Sequence, residues 1–233
     1  MPSLKKDKPS RKESTIQIAY CNKFASIWEY NRALCSGTID FIPVIGTICP
    51  LCGAEDCYRK IMPYYRWVID ILHQYRKEKV GIARFQCTTL RRTFSLLPVQ
   101  LAPYHHYTIA SMVFALMLAI KNNCSLFRVA EQDLDTDSRA NGFLLTNWLG
   151  ILLIGFRRAH HWLASRFDLS EVRCEQRSGT EHLKSELLLY LRALRPKVSL
   201  GYEARIEVVI LVYAECGNQF LFGIPSQDRQ SSA

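Results

Sequence analysis

The sequence lacks the signals of an exported or membrane-spanning protein. Basic residues near its start, from Lys5 to Lys12, are followed by polar residues and not by an apolar segment, so we expect no secretory signal. The most apolar stretches are too short to cross a bilayer or, in residues 144–156, are interrupted by Thr146 and Asn147. We therefore predict a cytoplasmic protein with no membrane segment.

Catalytic motifs are also lacking. The chain contains no GxSxG, no HExxH and no glycine-rich phosphate loop. A DNA-cutting transposase needs carboxylates that converge on two metal ions within a rigid domain. The acidic residues after position 166 are instead spaced like the polar faces of helices, and the chain that remains there is too short for such a domain. We expect a protein that is not an enzyme.

Acidic residues are scarce in the first half of the chain. Residues 1–106 contain 16 Lys and Arg against 8 Asp and Glu, whereas residues 166–233 contain 9 of each. A basic surface in the first half is suited to a polyanion such as DNA, although a solvated basic surface has the same composition.

Changes in composition along the chain predict five segments. These are a disordered basic arm (1–15), a short helix and linker (16–40), a zinc-ribbon-like module (41–98), a helix-turn-helix domain (104–166) and an extension with a helix and a strand (167–233). Aromatic residues in 64–75 fit either a strand pair or a helical turn. The predicted fold class is α+β but mainly α, with a small zinc ribbon followed by a helix-turn-helix domain, with or without a wing.

Apolar periodicity predicts the helices. Residues at steps of three and four in 107–120 form one apolar stripe, Ser125 can begin a short helix that ends near Gln132, and a longer helix runs from about Phe143 to Ser165. Beyond them, Ser178 and Glu181 are spaced as a capping box for a helix over 181–194. The β-branched stretch 206–214 predicts a strand that can serve as a wing.

The chain has only one CxxC pair, so a second such pair cannot complete a metal site. Cys49 and Cys52, followed by Gly53, form a knuckle that turns both sulfurs towards one ion. Leu90 stands where the last cysteine of a second pair is expected. We predict a structural Zn²⁺ site with four thiolates, with His73 as the alternative to Cys57 and buried, metal-free cysteines as the other interpretation: Cys49, Cys52, Cys57 and Cys87.

The sequence of residues 84–107 resembles that of a known group of proteins. It contains an Arg-Phe-Gln-Cys strand at 84–87, a basic turn at 91–92, Thr-Phe-Ser-Leu-Leu-Pro at 93–98 and Pro-Tyr-His-His-Tyr at 103–107. This pattern resembles the zinc-ribbon segment of bacterial proteins of unknown function linked to transposable elements. The resemblance covers about residues 48–108 and implies DNA binding at a mobile element, by similarity to the front ends of transposases.

Several side chains are suited to DNA. Arginine guanidinium groups can pair with phosphates, and an asparagine can read adenine with two hydrogen bonds. Surface solubility or helix capping explains the same residues without DNA. The candidate DNA-binding residues are Arg84, Arg91, Arg92, Thr146, Asn147, Arg157 and Arg158.

These features predict a DNA-binding protein of a mobile genetic element that resembles a transposase without its catalytic domain. The expected partner is double-stranded DNA, and proteins of the transposition machinery and a second copy of the chain are further candidates. Two alternatives remain open: a truncated remnant of a transposase, and a zinc-stabilised protein-interaction module whose basic face meets an acidic partner.

Overall fold

The computed structural model describes residues 16–20, 24–72, 74–132, 141–172 and 179–194, together with positions 206, 209, 210, 212 and 216. The strands are β1 (Ile16–Tyr20), β2 (Tyr58–Asp70), β3 (Arg76–Cys87) and β4 (Thr93–Pro98). The helices are α1 (Ile27–Cys35), α2 (Ile42–Ile45), α3 (Ile109–Lys121), α4 (Leu126–Gln132), α5 (Gly142–Ala164) and α6 (Thr180–Ala193).

The four strands form one mixed sheet in the order β1-β4-β3-β2. β2 and β3 are an antiparallel hairpin, β4 pairs antiparallel with β3, and β1 pairs parallel with β4. β2 begins at Tyr58, a few residues after the Cys49–Cys52 turn, so the β2–β3 hairpin is the part of the sheet that follows this turn along the chain.

Helix α1 packs on one face of the sheet. Its start is capped by Ser26, whose hydroxyl accepts from the backbone N–H of Glu29. Gly81 in β3 permits the close approach of the helix, because a Cβ at that position would lie 2.8 Å from Leu34 Cδ2. Asn31 fixes the contact further, since its amide accepts from Gly81 N and donates to Lys79 O. α1 and the inner side of the sheet share one hydrophobic core.

Helices α3 to α6 enclose a second hydrophobic core around the fully buried Trp148. Its indole contacts the ring of Tyr107 edge to face, with centroids 4.7 Å apart. The end of β2 joins this core to the sheet: Ile69 N donates to His106 O, and Ser111 Oγ donates to Asp70 Oδ1.

The predicted fold class is wrong. The residues that the structure describes are not mainly α, and they show no clear layout of a zinc ribbon followed by a helix-turn-helix domain. The strands that follow the cysteines are too long for a small ribbon, at 13 and 12 residues, and β1 and β4 extend them into a four-stranded sheet. The prediction failed because β1 lies outside the predicted module and pairs with a strand about 75 residues later in the chain.

Two local predictions beyond residue 166 are also wrong. The N-cap of α6 is Gly179 and Glu181 forms an ion pair with Lys184, so Glu181 does not serve as predicted, while Ser178 lies outside the described residues. The predicted strand at 206–214 is helical at its described positions, where Ile206, Val209 and Val212 are buried in the helical core. Burial against that core outweighs the strand preference of β-branched side chains.

The predicted helices themselves are confirmed, each within two residues at its described ends, as α3, α4, α5 and α6. Ser125 caps α4 as expected, because its hydroxyl accepts from Arg128 N. The predicted turn at 133–142 falls mainly outside the described residues. Among the helices that the structure describes, none is long and apolar enough to cross a membrane.

An ion pair connects α5 to α6 inside the helical half. Arg157 donates from Nε and Nη2 to the two carboxylate oxygens of Glu186, at 2.8 and 2.6 Å. The Glu186 side chain is only 2% exposed, whereas that of Arg157 is 35% exposed. A buried carboxylate in this position needs its cation.

We expect Arg157→Met to lower the free energy of unfolding by about 2 kcal/mol, because it leaves the Glu186 carboxylate buried without its partner. Urea unfolding followed by circular dichroism measures the change. Arg158→Met is the matched control, since Arg158 is exposed on the same helix. Equal losses in the two variants would contradict a specific role for the ion pair.

Candidate metal centre

A tight turn places the first two cysteines. Cys49 N donates to Ala54 O and Gly53 N donates to Cys49 O, both at 2.9 Å. Gly53 has φ of +73°, a left-handed conformation that favours glycine. The turn therefore presents the side chains of Cys49 and Cys52 on the same side, as the CxxC-Gly sequence predicts.

Strand pairing brings the other two cysteines to this turn. Tyr58 pairs with Cys87 across the hairpin, so Cys57, one residue earlier, lies beside the end of β3. Thr88 strengthens this end of the hairpin, because its N–H and its hydroxyl both donate to Cys57 O, at 2.7 and 2.6 Å. Cys57 and Cys87, which are 30 residues apart in the sequence, are therefore in direct contact.

The four cysteines form one cluster. Their sulfur atoms all lie within 4.8 Å of one another, so together they can hold a metal ion. Cys57 Sγ and Cys87 Sγ are 3.6 Å apart, as are Cys87 Sγ and Cys52 Sγ. A tetrahedral ion with metal–sulfur bonds of about 2.3 Å requires sulfurs about 3.8 Å apart. Cys52 Sγ and Cys57 Sγ, at 3.0 Å, would need to move apart slightly to accept the ion.

Backbone donors favour a thiolate at Cys87. Leu90 N donates to Cys87 Sγ at 3.2 Å, and chiefly for this reason the pKa of Cys87 is lowered to about 7. The pKa of Cys57 is raised, chiefly by its hydrogen bond with Cys52. Leu90, where a second CxxC pair would have its last cysteine, thus contributes a backbone amide to the cluster.

The predicted ligand set is compatible with this geometry. The structure brings Cys49, Cys52, Cys57 and Cys87 together, with Cys49 and Cys87 buried. The alternative ligand His73 lies outside the described residues. The CxxC pair and the basic-aromatic strand before Cys87 indicated the cluster, and the β2–β3 hairpin, which the sequence had left undecided, is what brings Cys57 to Cys87.

No family model, no curated protein and no solved structure matches this chain. Its function therefore has to be inferred from the site and its surroundings.

The candidate DNA-binding residues occupy different environments. Arg91 and Arg92 are exposed in the turn after Cys87, and Arg84 is half-buried in β3. On α5, Asn147 and Arg158 are exposed, whereas the Thr146 hydroxyl donates to Gly142 O within its own helix. Arg157 is engaged with Glu186. The structure therefore groups Arg84, Arg91 and Arg92 with the cysteine cluster and leaves the α5 residues in the helical half.

An aromatic and basic patch at the hairpin was missed at the sequence level. The Trp67 side chain is 43% exposed, with Lys77 Nζ and Lys79 Nζ at 5.8 and 5.3 Å from its ring centroid. Alternation in β3, which places Lys77 and Lys79 on one face, was the available signal.

We expect Cys87→Ser to lose the bound metal and to lower the melting temperature, because three thiolates hold a tetrahedral ion less tightly than four. Elemental analysis of the purified protein measures the metal per chain. Cys35→Ser is the matched control, since Cys35 is exposed and lies outside the cluster. Full metal content in Cys87→Ser would show that the cluster does not bind the metal through this residue.

Proposed function

We propose that the four-cysteine cluster holds a structural Zn²⁺. Thiolates are strong ligands for zinc, and a shell of four leaves no position open for a water molecule or a substrate. The ion would connect the Cys49–Cys52 turn to the open end of the β2–β3 hairpin, so its contribution would be to stability and not to chemistry.

We further propose that the protein binds double-stranded DNA through the basic surface around this centre. Residues 58–92, which form the hairpin and the following turn, contain nine Lys and Arg against two Asp and Glu. Such an excess attracts a polyanion, and arginine can form paired hydrogen bonds with a phosphate.

The observation that carries the proposal is the exposed Arg91-Arg92 turn beside Cys87. Cys87 N donates to Arg92 O at 2.9 Å, so the turn is fixed directly to a metal ligand. Arg91 has φ of +57°, a left-handed conformation, and both Arg91 and Arg92 are exposed. A rigid, exposed pair of guanidinium groups is suited to the sugar–phosphate backbone.

The resemblance expected from the sequence of residues 48–108, to proteins linked to transposable elements, supports the same proposal and favours the DNA of a mobile element as the partner. Asn147 and Arg158, exposed on α5, are candidates for further contacts. We place none at Thr146 or Arg157, whose polar groups bond within the protein.

We expect Arg91→Ala and Arg92→Ala each to weaken duplex binding about tenfold at low salt and to reduce the salt slope of binding by about one. Fluorescence anisotropy with a labelled duplex, measured at several salt concentrations, gives both quantities. Lys121→Ala, which removes a cation from the helical half, is the matched control and should change affinity less than twofold.

A second candidate function is a zinc-stabilised protein-interaction module. The observation that favours it is the edge strand β2, where Met62, Tyr65 and Trp67 are 83, 56 and 43% exposed. Absence of duplex binding by the wild-type protein even at low salt would contradict the DNA proposal and favour this one.

A further inference from the structure

A row of polar side chains crosses the sheet on the face opposite α1. Ser95 pairs with Gln17 on one side and with Arg84 on the other, so the three side chains lie side by side. Their neighbours in the next row, Leu96 and Ala83, face the hydrophobic core beneath α1. Alternation along the strands assigns the polar row to the other face.

Arg84 has an unusual environment for a guanidinium group. Its Nε is shielded from solvent and makes no hydrogen bond to any residue that the structure describes. No carboxylate in the described part of the chain forms an ion pair with it. A shielded N–H group without an acceptor is destabilising, and Arg84 gains from an oxyanion that accepts a hydrogen bond from its Nε.

The groups beside Arg84 are also suited to an anion. Tyr64 is partly buried near both Arg84 and Arg66, and these two cations oppose the upward shift that burial causes in the pKa of its phenol. The phenol oxygen accepts from Gln17 Nε2 at 3.4 Å and also interacts with the Ser95 side chain, so Tyr64 belongs to the same polar row as Arg84. Arg66 is held in place by donation to Ala102 O and His105 O.

We infer that this face of the sheet binds a phosphoryl oxyanion, with Arg84 as the charged donor and the Tyr64 phenol and Gln17 amide as adjoining polar groups. The bidentate geometry of a guanidinium group matches two phosphoryl oxygens. The same chemistry is offered by a DNA backbone phosphate and by a free phosphate compound. The site itself does not depend on the proposed DNA binding, because the inference rests on the unsatisfied Nε of Arg84 and on the polar row beside it.

The first test uses inorganic phosphate and the purified protein of this sequence. Phosphate should raise the melting temperature more than sodium chloride of equal ionic strength, because it binds only the folded state. Arg84→Gln should weaken phosphate binding at least tenfold, and Tyr64→Phe should weaken it by a smaller factor. Arg59→Gln is the matched control: Arg59 lies on neighbouring β2, is exposed and bonds to Gln86, so its loss should change phosphate affinity less than twofold.

A stability measurement separates this role from a structural one. Without phosphate, Arg84→Gln should melt at the same temperature as wild type or higher, since it removes a shielded Nε–H group that lacks an acceptor. A large fall in melting temperature with an intact phosphate response would mean that Arg84 is structural, and the inference would be overturned. It would also be overturned if phosphate raised the melting temperature no more than chloride does. The same holds if Arg59→Gln lost as much phosphate affinity as Arg84→Gln.

A parallel binding measurement with duplex DNA identifies the source of the anion. If Arg84→Gln weakens both phosphate and DNA, the ligand is a backbone phosphate. If it weakens phosphate binding alone, the ligand is a free phosphoryl compound. The inferred anion site is then supported even where the proposed DNA function fails.

Discussion

The contact between Cys57 and Cys87 is the constraint on which the metal centre depends. It is created by the strand register, which pairs Tyr58 with Cys87, and it is reinforced by the two hydrogen bonds from Thr88 to Cys57 O. The Cys49–Cys52 turn can complete a four-sulfur shell only where these two thiols are already adjacent. A metal bound there would in turn close the open end of a hairpin whose other end is joined to α3 through Ile69 and Asp70. The hairpin thus connects the metal cluster to the helical core.

The same hairpin separates two kinds of surface. On the side of α1, the helix packs closely against Gly81 and Asn31 bonds to the β3 backbone, and the basic residues Lys77 and Lys79 lie around Trp67. On the opposite side, Arg84 is enclosed among polar neighbours in the middle of the sheet. The exposed Arg91 and Arg92 extend the basic surface into the turn that follows Cys87. Cations are therefore distributed over both faces and the turn, whereas the acidic side chains of the helical half are partly engaged internally, as Glu186 is by Arg157.

Much of the local structure could be predicted from the sequence, and the architecture could not. The cysteine cluster follows from spacing, because a CxxC turn and the two ends of one hairpin have few other ways to meet. The four helices of the second half follow from apolar periodicity. The mixed sheet does not, since β1 is five residues long and its partner β4 lies about 75 residues away, a distance over which local patterns carry no pairing information. Burial overrode propensity at Ile206, Val209 and Val212, which are helical despite their β-branched side chains.

The parallel pairing of β1 with β4 also determines the order in which the sheet can assemble. β1 is synthesised before any of its neighbours, yet it has no partner until Thr93–Pro98 has been made and β4 has aligned with β3. The hairpin and the cysteine turn involve shorter separations along the chain and can form earlier. Among the described strand pairs, β1 and β4 close the longest loop, so covering the outer edge of β4 costs more chain entropy than closing the hairpin beside it.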